Sequence, residues 1–108
     1  MRRANKYNAR KVGLDGYVFD SEMEARRYGQ LKMLQLGKFI KNLMVHPVSS
    51  LTVNDIRICK YVADFVYTDV TTGKRIYEDV KGVRTREFII KKKLMKAIHG
   101  IDVKEVRA

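Results

Sequence analysis

Three residues of this chain have the types and spacing for phosphoester chemistry: Asp64, Asp79 and Lys81. Asp64 stands in YVADFVY, residues 61–67, and the other two in YEDVKG, residues 77–82. Acids are scarce here, 12 against 23 lysines and arginines, so a carboxylate among β-forming residues needs a reason. Strand side chains alternate between faces, which puts Tyr77, Asp79 and Lys81 on one face and Ile76, Glu78 and Val80 on the other. In a strand over 56–68, Val62, Asp64 and Val66 share a face. The tight turn TTGK joins this strand to an antiparallel partner over 74–81 and places Asp64 beside Asp79. Two such carboxylates can share a hard cation such as Mg²⁺, which takes oxygen ligands and keeps several waters. A lysine beside the cation can orient an attacking water and stabilise charge on a phosphate. A solvated, charged strand shows the same pattern, with Glu78 as a polar outer-face residue. A local bulge would instead turn Glu78 towards the site.

The elements that must position these residues follow from periodicity and end signals. Ser21 is a good N-cap with Glu24 at N3, a capping box. Ala25, Tyr28, Leu31, Met33, Leu34 and Leu36 form an apolar stripe, so a helix is expected over 21–36, ended by Gly37 at C′. Asp15-Gly16 marks a turn in LDGYVF before it. FIKNLMVHPVSSLTV reads as a strand bent near Pro47 and then a second extended piece. Asn54-Asp55 marks a turn, and IRICKYVADFVYT is rich in β-branched and aromatic residues. Thr85 caps a second helix that Gly100 ends, with Phe88, Leu94, Met95, Ile98 and Ile89 or Ile90 facing a core. IDVKEV alternates as a last strand does. The expected order is α-β-β-β-α-β, an α/β class.

Length and charge limit the partners. The chain has 108 residues, enough for one domain and one core. We expect a basic arm over 1–13 and a single domain over 14–108. The formal net charge of +11 favours polyanions, nucleic acid first and an anionic membrane surface second. The arm carries Arg2, Arg3, Lys6, Arg10 and Lys11 and no acid. It reads as a phosphate-binding arm or as a frayed terminus. Arg84, Arg86, Lys91, Lys92 and Lys93 cluster at the second helix, with Lys96 beyond them. They read as a phosphate-binding face in preference to a merely solvated one. Charges interrupt every apolar run before membrane length, and no apolar segment follows the basic start as in a secretory signal. Cys59, the only cysteine, has no disulfide partner and reads as a small apolar strand residue. A reducing, cytoplasmic setting fits that.

Other chemistries lack their motifs. Neither phosphate-loop pattern, G-x-x-x-x-G-K-[ST] nor G-x-G-x-x-G, occurs. His46 and His99 are far apart in sequence; His46 reads as a turn or strand-surface residue, and His99 suits a helix C-terminus. Nothing marks a nucleophilic serine.

D64-x14-D79-V-K81 resembles the PD-(D/E)XK nuclease signature, with Ala63 in the proline's place. YVFDSEMEARRYGQL, YVADFVY, YEDVKGVRTREFIIKKKL and DVKEV resemble a phage-encoded family of resolvase-like nucleases in that superfamily. The likeness runs from about Lys6 to Val106, and FDS-x-x-EA and EDVKG are its most specific parts. It implies the restriction-endonuclease-like fold, a mixed sheet flanked by helices. It implies Mg²⁺-dependent hydrolysis of DNA, with Mn²⁺ able to substitute, at branched structures such as Holliday junctions in phage recombination or replication. By this likeness Asp64 and Asp79 are metal ligands, the Val80 carbonyl completes the shell, Lys81 is the catalytic lysine, and Glu24 is the acid from the first helix. Lys91 is placed nearest the site by the same analogy. The setting implied is the cytoplasm of a bacterial host. Resolving a four-way junction takes two cuts, so a two-fold homodimer is expected of a chain this short. The rival readings are a non-catalytic nucleic-acid-binding protein that keeps the fold, and an assembly protein whose basic face meets an acidic partner.

Overall fold

The computed structural model describes residues 10–81 and 83–107. Arg2, Arg3 and Lys6 therefore lie outside the described residues. The described residues open with a hairpin, β1 (Val12–Leu14) and β2 (Tyr17–Phe19), turned by Asp15 and Gly16 in the left-handed region. Val12 and Gly13, expected in the arm, thus belong to a strand. Helix α1 (Glu22–Leu36) follows, with the Ser21 Oγ accepting from the Glu24 amide at 3.1 Å. It ends differently from the sequence reading. Gly37 keeps φ −77°, and Lys38 takes the left-handed turn at φ 64°.

Two long arms come next, β3 (Ile40–Val45) with β4 (Val48–Val53), and β5 (Ile56–Val62) with β6 (Phe65–Asp69). They run antiparallel as one bent ribbon. Val45 pairs with Phe65 and Val48 with Val62, and the Asn54-Asp55 turn closes the far end. Both arms bend at the same level. There the His46 amide donates to the Asp64 carbonyl at 3.0 Å, and the Ala63 amide to the Pro47 carbonyl at 3.2 Å. The single strand expected over 56–68 is therefore two strands in two sheets, broken at Ala63-Asp64. Asp64 sits in the bend, one residue before β6 begins, and Val62 ends the strand on the other side of the break.

Strand β7 (Arg75–Val80) pairs antiparallel with β6, then α2 (Arg86–His99) leads to β8 (Lys104–Val106), parallel to β7. The main sheet has the order β3-β6-β7-β8 and is mixed, as expected of an α/β chain. Thr85 caps α2 through the Phe88 amide, and Gly100 closes it at φ 69°.

Each helix covers one face of the sheet. Under α1, Phe19, Ala25, Tyr28, Leu31, Ile40, Phe65 and Tyr67 form one core. Under α2, Leu51, Tyr61, Ala63, Val66, Phe88, Met95 and Val103 form the other. Each fully buried Phe or Leu here contributes about 1.5–3 kcal/mol. Met33 and Leu36, expected in the apolar stripe of α1, are exposed, because the helix meets the sheet through a narrower stripe; of the alternatives on α2, Ile89 is half-buried and Ile90 exposed. His99 Nε2 donates to the Ser50 carbonyl at 2.8 Å and ties the end of α2 to β4. Among the described residues, no helix is long and apolar enough to cross a membrane.

Candidate active site

The bend between the ribbon's two halves brings four elements to one place. Asp64 comes from the bend, Glu24 from the first turn of α1, His46 from the end of β3, and Asp79 with Lys81 from β7 and its exit. The Asp64 amide donates to the Glu78 carbonyl at 3.1 Å, which extends the β6–β7 ladder by one residue. The Val80 amide donates to Asp64 Oδ2 at 2.6 Å. The carboxylate is thus fixed beside Asp79. This is the neighbourhood that the strand spacing predicts, reached through a break and not through a regular strand.

Asp79 is buried and fully engaged. Tyr61 Oη donates to its Oδ2 at 2.5 Å, and Lys81 Nζ lies 2.7 Å from its Oδ1. The Lys81 ammonium also stands 3.9 Å from the centre of the Phe88 ring, a cation–π contact. Asp64, Asp79 and Lys81 line an open cleft of about 260 Å³ with Lys60, Tyr61, Thr85 and Lys91. On the opposite face of β7 the outcome differs from the expectation. Glu78 is wholly buried, not an outer-face residue. Arg27 holds it in a bidentate pair at 2.8 and 2.7 Å, and Tyr67 Oη donates to it as well. Glu78 is a structural acid under α1, with no access to the cleft.

Glu24 is buried, and its Oε1 lies 2.6 Å from His46 Nε2. The Glu24 amide makes the cap to Ser21, while its carboxylate turns inward, so backbone and side chain have separate roles. The ligand atoms of Glu24, His46 and Asp64 all lie within 4.8 Å of one another. Sequence reasoning missed His46 in this group. Its only signal was a histidine before the proline that bends the strand. Tyr61 was missed too, since a strand tyrosine reads as core.

Electrostatics mark the same place. Burial pushes the Asp64 carboxyl up to about 8, and the neighbouring Asp79 and Glu24 carboxylates push in the same direction. The Glu24 carboxyl is raised by burial, against the pull of His46. Gathering carboxylates out of water is costly without compensating positive charge. A divalent cation would offset that cost, and the oxygen donors together with one imidazole nitrogen would fit such an ion. Val80 serves the group through its amide, which holds Asp64.

The basic residues divide into two sets. Arg84 Nε and Lys92 Nζ both pair with Glu105, at 2.8 and 2.6 Å. Lys91 lines the cleft and pairs with Glu87 at 2.8 Å. Arg86 and Lys93 are exposed. Arg10 and Lys11 make exposed pairs with Glu22 and Asp20.

Residues 4–107 match the family described as "Protein of unknown function (DUF1064)". No curated protein matches the chain.

Proposed function

The chain belongs to the DUF1064 family, and we propose that it is a divalent-cation-dependent DNA endonuclease with a restriction-endonuclease-like core, acting on branched DNA. The observation that carries this reading is the Asp64, Asp79 and Lys81 group in a cleft bordered by lysines of α2 and β5. A pure binding protein gains nothing from buried carboxylates facing phosphate.

Asp64, Asp79 and Glu24 would hold the cation, with the Val80 carbonyl as a further donor. Bound there, Mg²⁺ or Mn²⁺ supplies Lewis acidity towards a phosphate oxygen and a water. The protein's own groups do the rest. The Val80 amide and Tyr61 fix the two aspartates. Asp79 and the Phe88 ring hold the Lys81 ammonium at the cleft, where it positions the attacking water and neutralises charge on the phosphate. Lys60 and Lys91 border the path of the DNA backbone. Branched substrates and a two-fold dimer belong to the same reading, since paired cuts need two such sites.

The test is cleavage of junction, flap, duplex and single-stranded DNA by purified protein, with Mg²⁺ and with EDTA. The expected result is metal-dependent cutting strongest on junction or flap DNA. An Asp79→Ala variant that binds DNA and cuts it at the wild-type rate would sink the proposal.

A further inference from the structure

We propose that the cation position of this chain is a mixed nitrogen–oxygen site: His46 Nε2 is a ligand beside Glu24 and Asp64, and the site prefers a first-row transition-metal ion to magnesium. The inference rests on the cation-dependent reading above, and its test measures coordination, not cleavage.

The geometry carries it. Donor atoms of the three residues lie within 4.8 Å of one another, and they come from three separate elements. Two ligand atoms each about 2.1 Å from one ion can be at most about 4.2 Å apart, so a small closure completes the group. Asp79, the other acid in reach, already spends one oxygen on Tyr61 and the other on Lys81. On its other side Asp64 faces Glu24 and His46, whose mutual contact at 2.6 Å an ion entering there would replace.

The backbone delivers the imidazole to this place. His46 sits at φ 55°, a conformation uncommon for a residue other than glycine, at the bend before Pro47. Its amide is bonded to the Asp64 carbonyl at 3.0 Å, so the two residues move together. Its ring centre lies 5.7 Å from that of Phe19, which backs the ring from the α1 core. His46 Nε2 and Glu24 Oε1 face each other at 2.6 Å. A ligand imidazole is neutral and binds through its unprotonated nitrogen, so an ion held here takes the tautomer with its hydrogen on Nδ1.

Selectivity follows from ligand chemistry. Magnesium favours oxygen donors and dehydrates reluctantly, whereas imidazole suits transition ions. One nitrogen in the shell shifts the balance towards them.

The experiment uses the full chain loaded with Mn²⁺ alone and read by pulsed electron paramagnetic resonance, which reports nitrogen bound to the ion. Calorimetry gives Mn²⁺ and Mg²⁺ affinities. The variants are His46→Asn and, as a control, His99→Asn. Asparagine accepts positive φ, so the first keeps the bend, and thermal melting checks this. Nitrogen coupling is expected in wild type and in His99→Asn and absent in His46→Asn. Losing the nitrogen should weaken Mn²⁺ binding about tenfold or more, with a smaller change for Mg²⁺. A nitrogen-free wild-type spectrum, or Mn²⁺ binding unchanged in His46→Asn, overturns the inference. Cleavage that survives a nitrogen-free spectrum leaves the nuclease reading standing; nitrogen coordination without cleavage removes that reading and keeps this one.

Discussion

Glu78 and Asp79 are consecutive and both buried, yet they serve opposite faces of β7. Glu78 anchors α1 through Arg27, and Asp79 faces the cleft through Tyr61 and Lys81. The strand's two-residue period makes this division, so neighbouring carboxylates have separable effects.

Removing the Arg27 side chain should show the structural half. Arg27→Ala leaves a wholly buried carboxylate with only Tyr67 for a partner. Breaking a buried pair from one side costs about 3–5 kcal/mol. Urea unfolding should report a loss of that size. A change under about 1 kcal/mol would mean that the pair contributes no more than an exposed one.

Lys81→Met should show the functional half. Methionine keeps the length and the contact with Phe88 but removes the ammonium. Loss of one positioned electrostatic group lowers turnover by roughly 10²–10³-fold. Single-turnover cleavage at saturating protein should fall by that much while DNA affinity changes little, since many other cations remain. Equal loss of binding and cleavage would make Lys81 a phosphate anchor only.

The raised Asp64 carboxyl gives a pH dependence in metal-free protein. Its folded value, about 8, lies above the ordinary 3.8, so between these values the native state holds more protons than the unfolded chain. Stability must then fall as pH rises from about 4 to 8. Glu24, raised as well, adds to the same slope. Melting temperatures measured in EDTA across that range should decline, and Asp64→Asn should flatten most of the decline. A flat wild-type profile would show that the carboxylates are solvated after all.

The sequence made much of this legible because its signals were local. Ser21, Thr85 and Gly100 mark helix ends through their own backbone chemistry, and both helices fall where expected. The spacing of Asp64 and Asp79 survived because a register set by the 70–73 turn fixes it. What stayed hidden was non-local. The break at Ala63-Asp64 leaves no glycine or proline in its own segment; the proline stands opposite, in the other arm, where the Pro47 carbonyl accepts from the Ala63 amide. Glu78 reads as exposed because its partner, Arg27, is on a different element. His46 looks like a surface residue until the bend and α1 meet.

The basic residues of α2 should separate in their effect on DNA binding. Glu105 holds Arg84 and Lys92 and is itself kept below the usual carboxylate range, first by the Lys92 hydrogen bond. Those two cations are largely spent within the protein. Arg86 and Lys93 are exposed, and among the described residues neither makes an ion pair. Removing one side chain that neutralises a phosphate reduces the salt slope of binding by about 1. Arg86→Ala and Lys93→Ala should each do so, measured by fluorescence anisotropy over a salt series on one DNA. Lys92→Ala should leave the slope close to wild type and lower the melting temperature by loosening α2 from β8. The reverse ranking would mean that Glu105 releases its partners on binding, and that the phosphate path crosses the α2–β8 edge instead of the cleft.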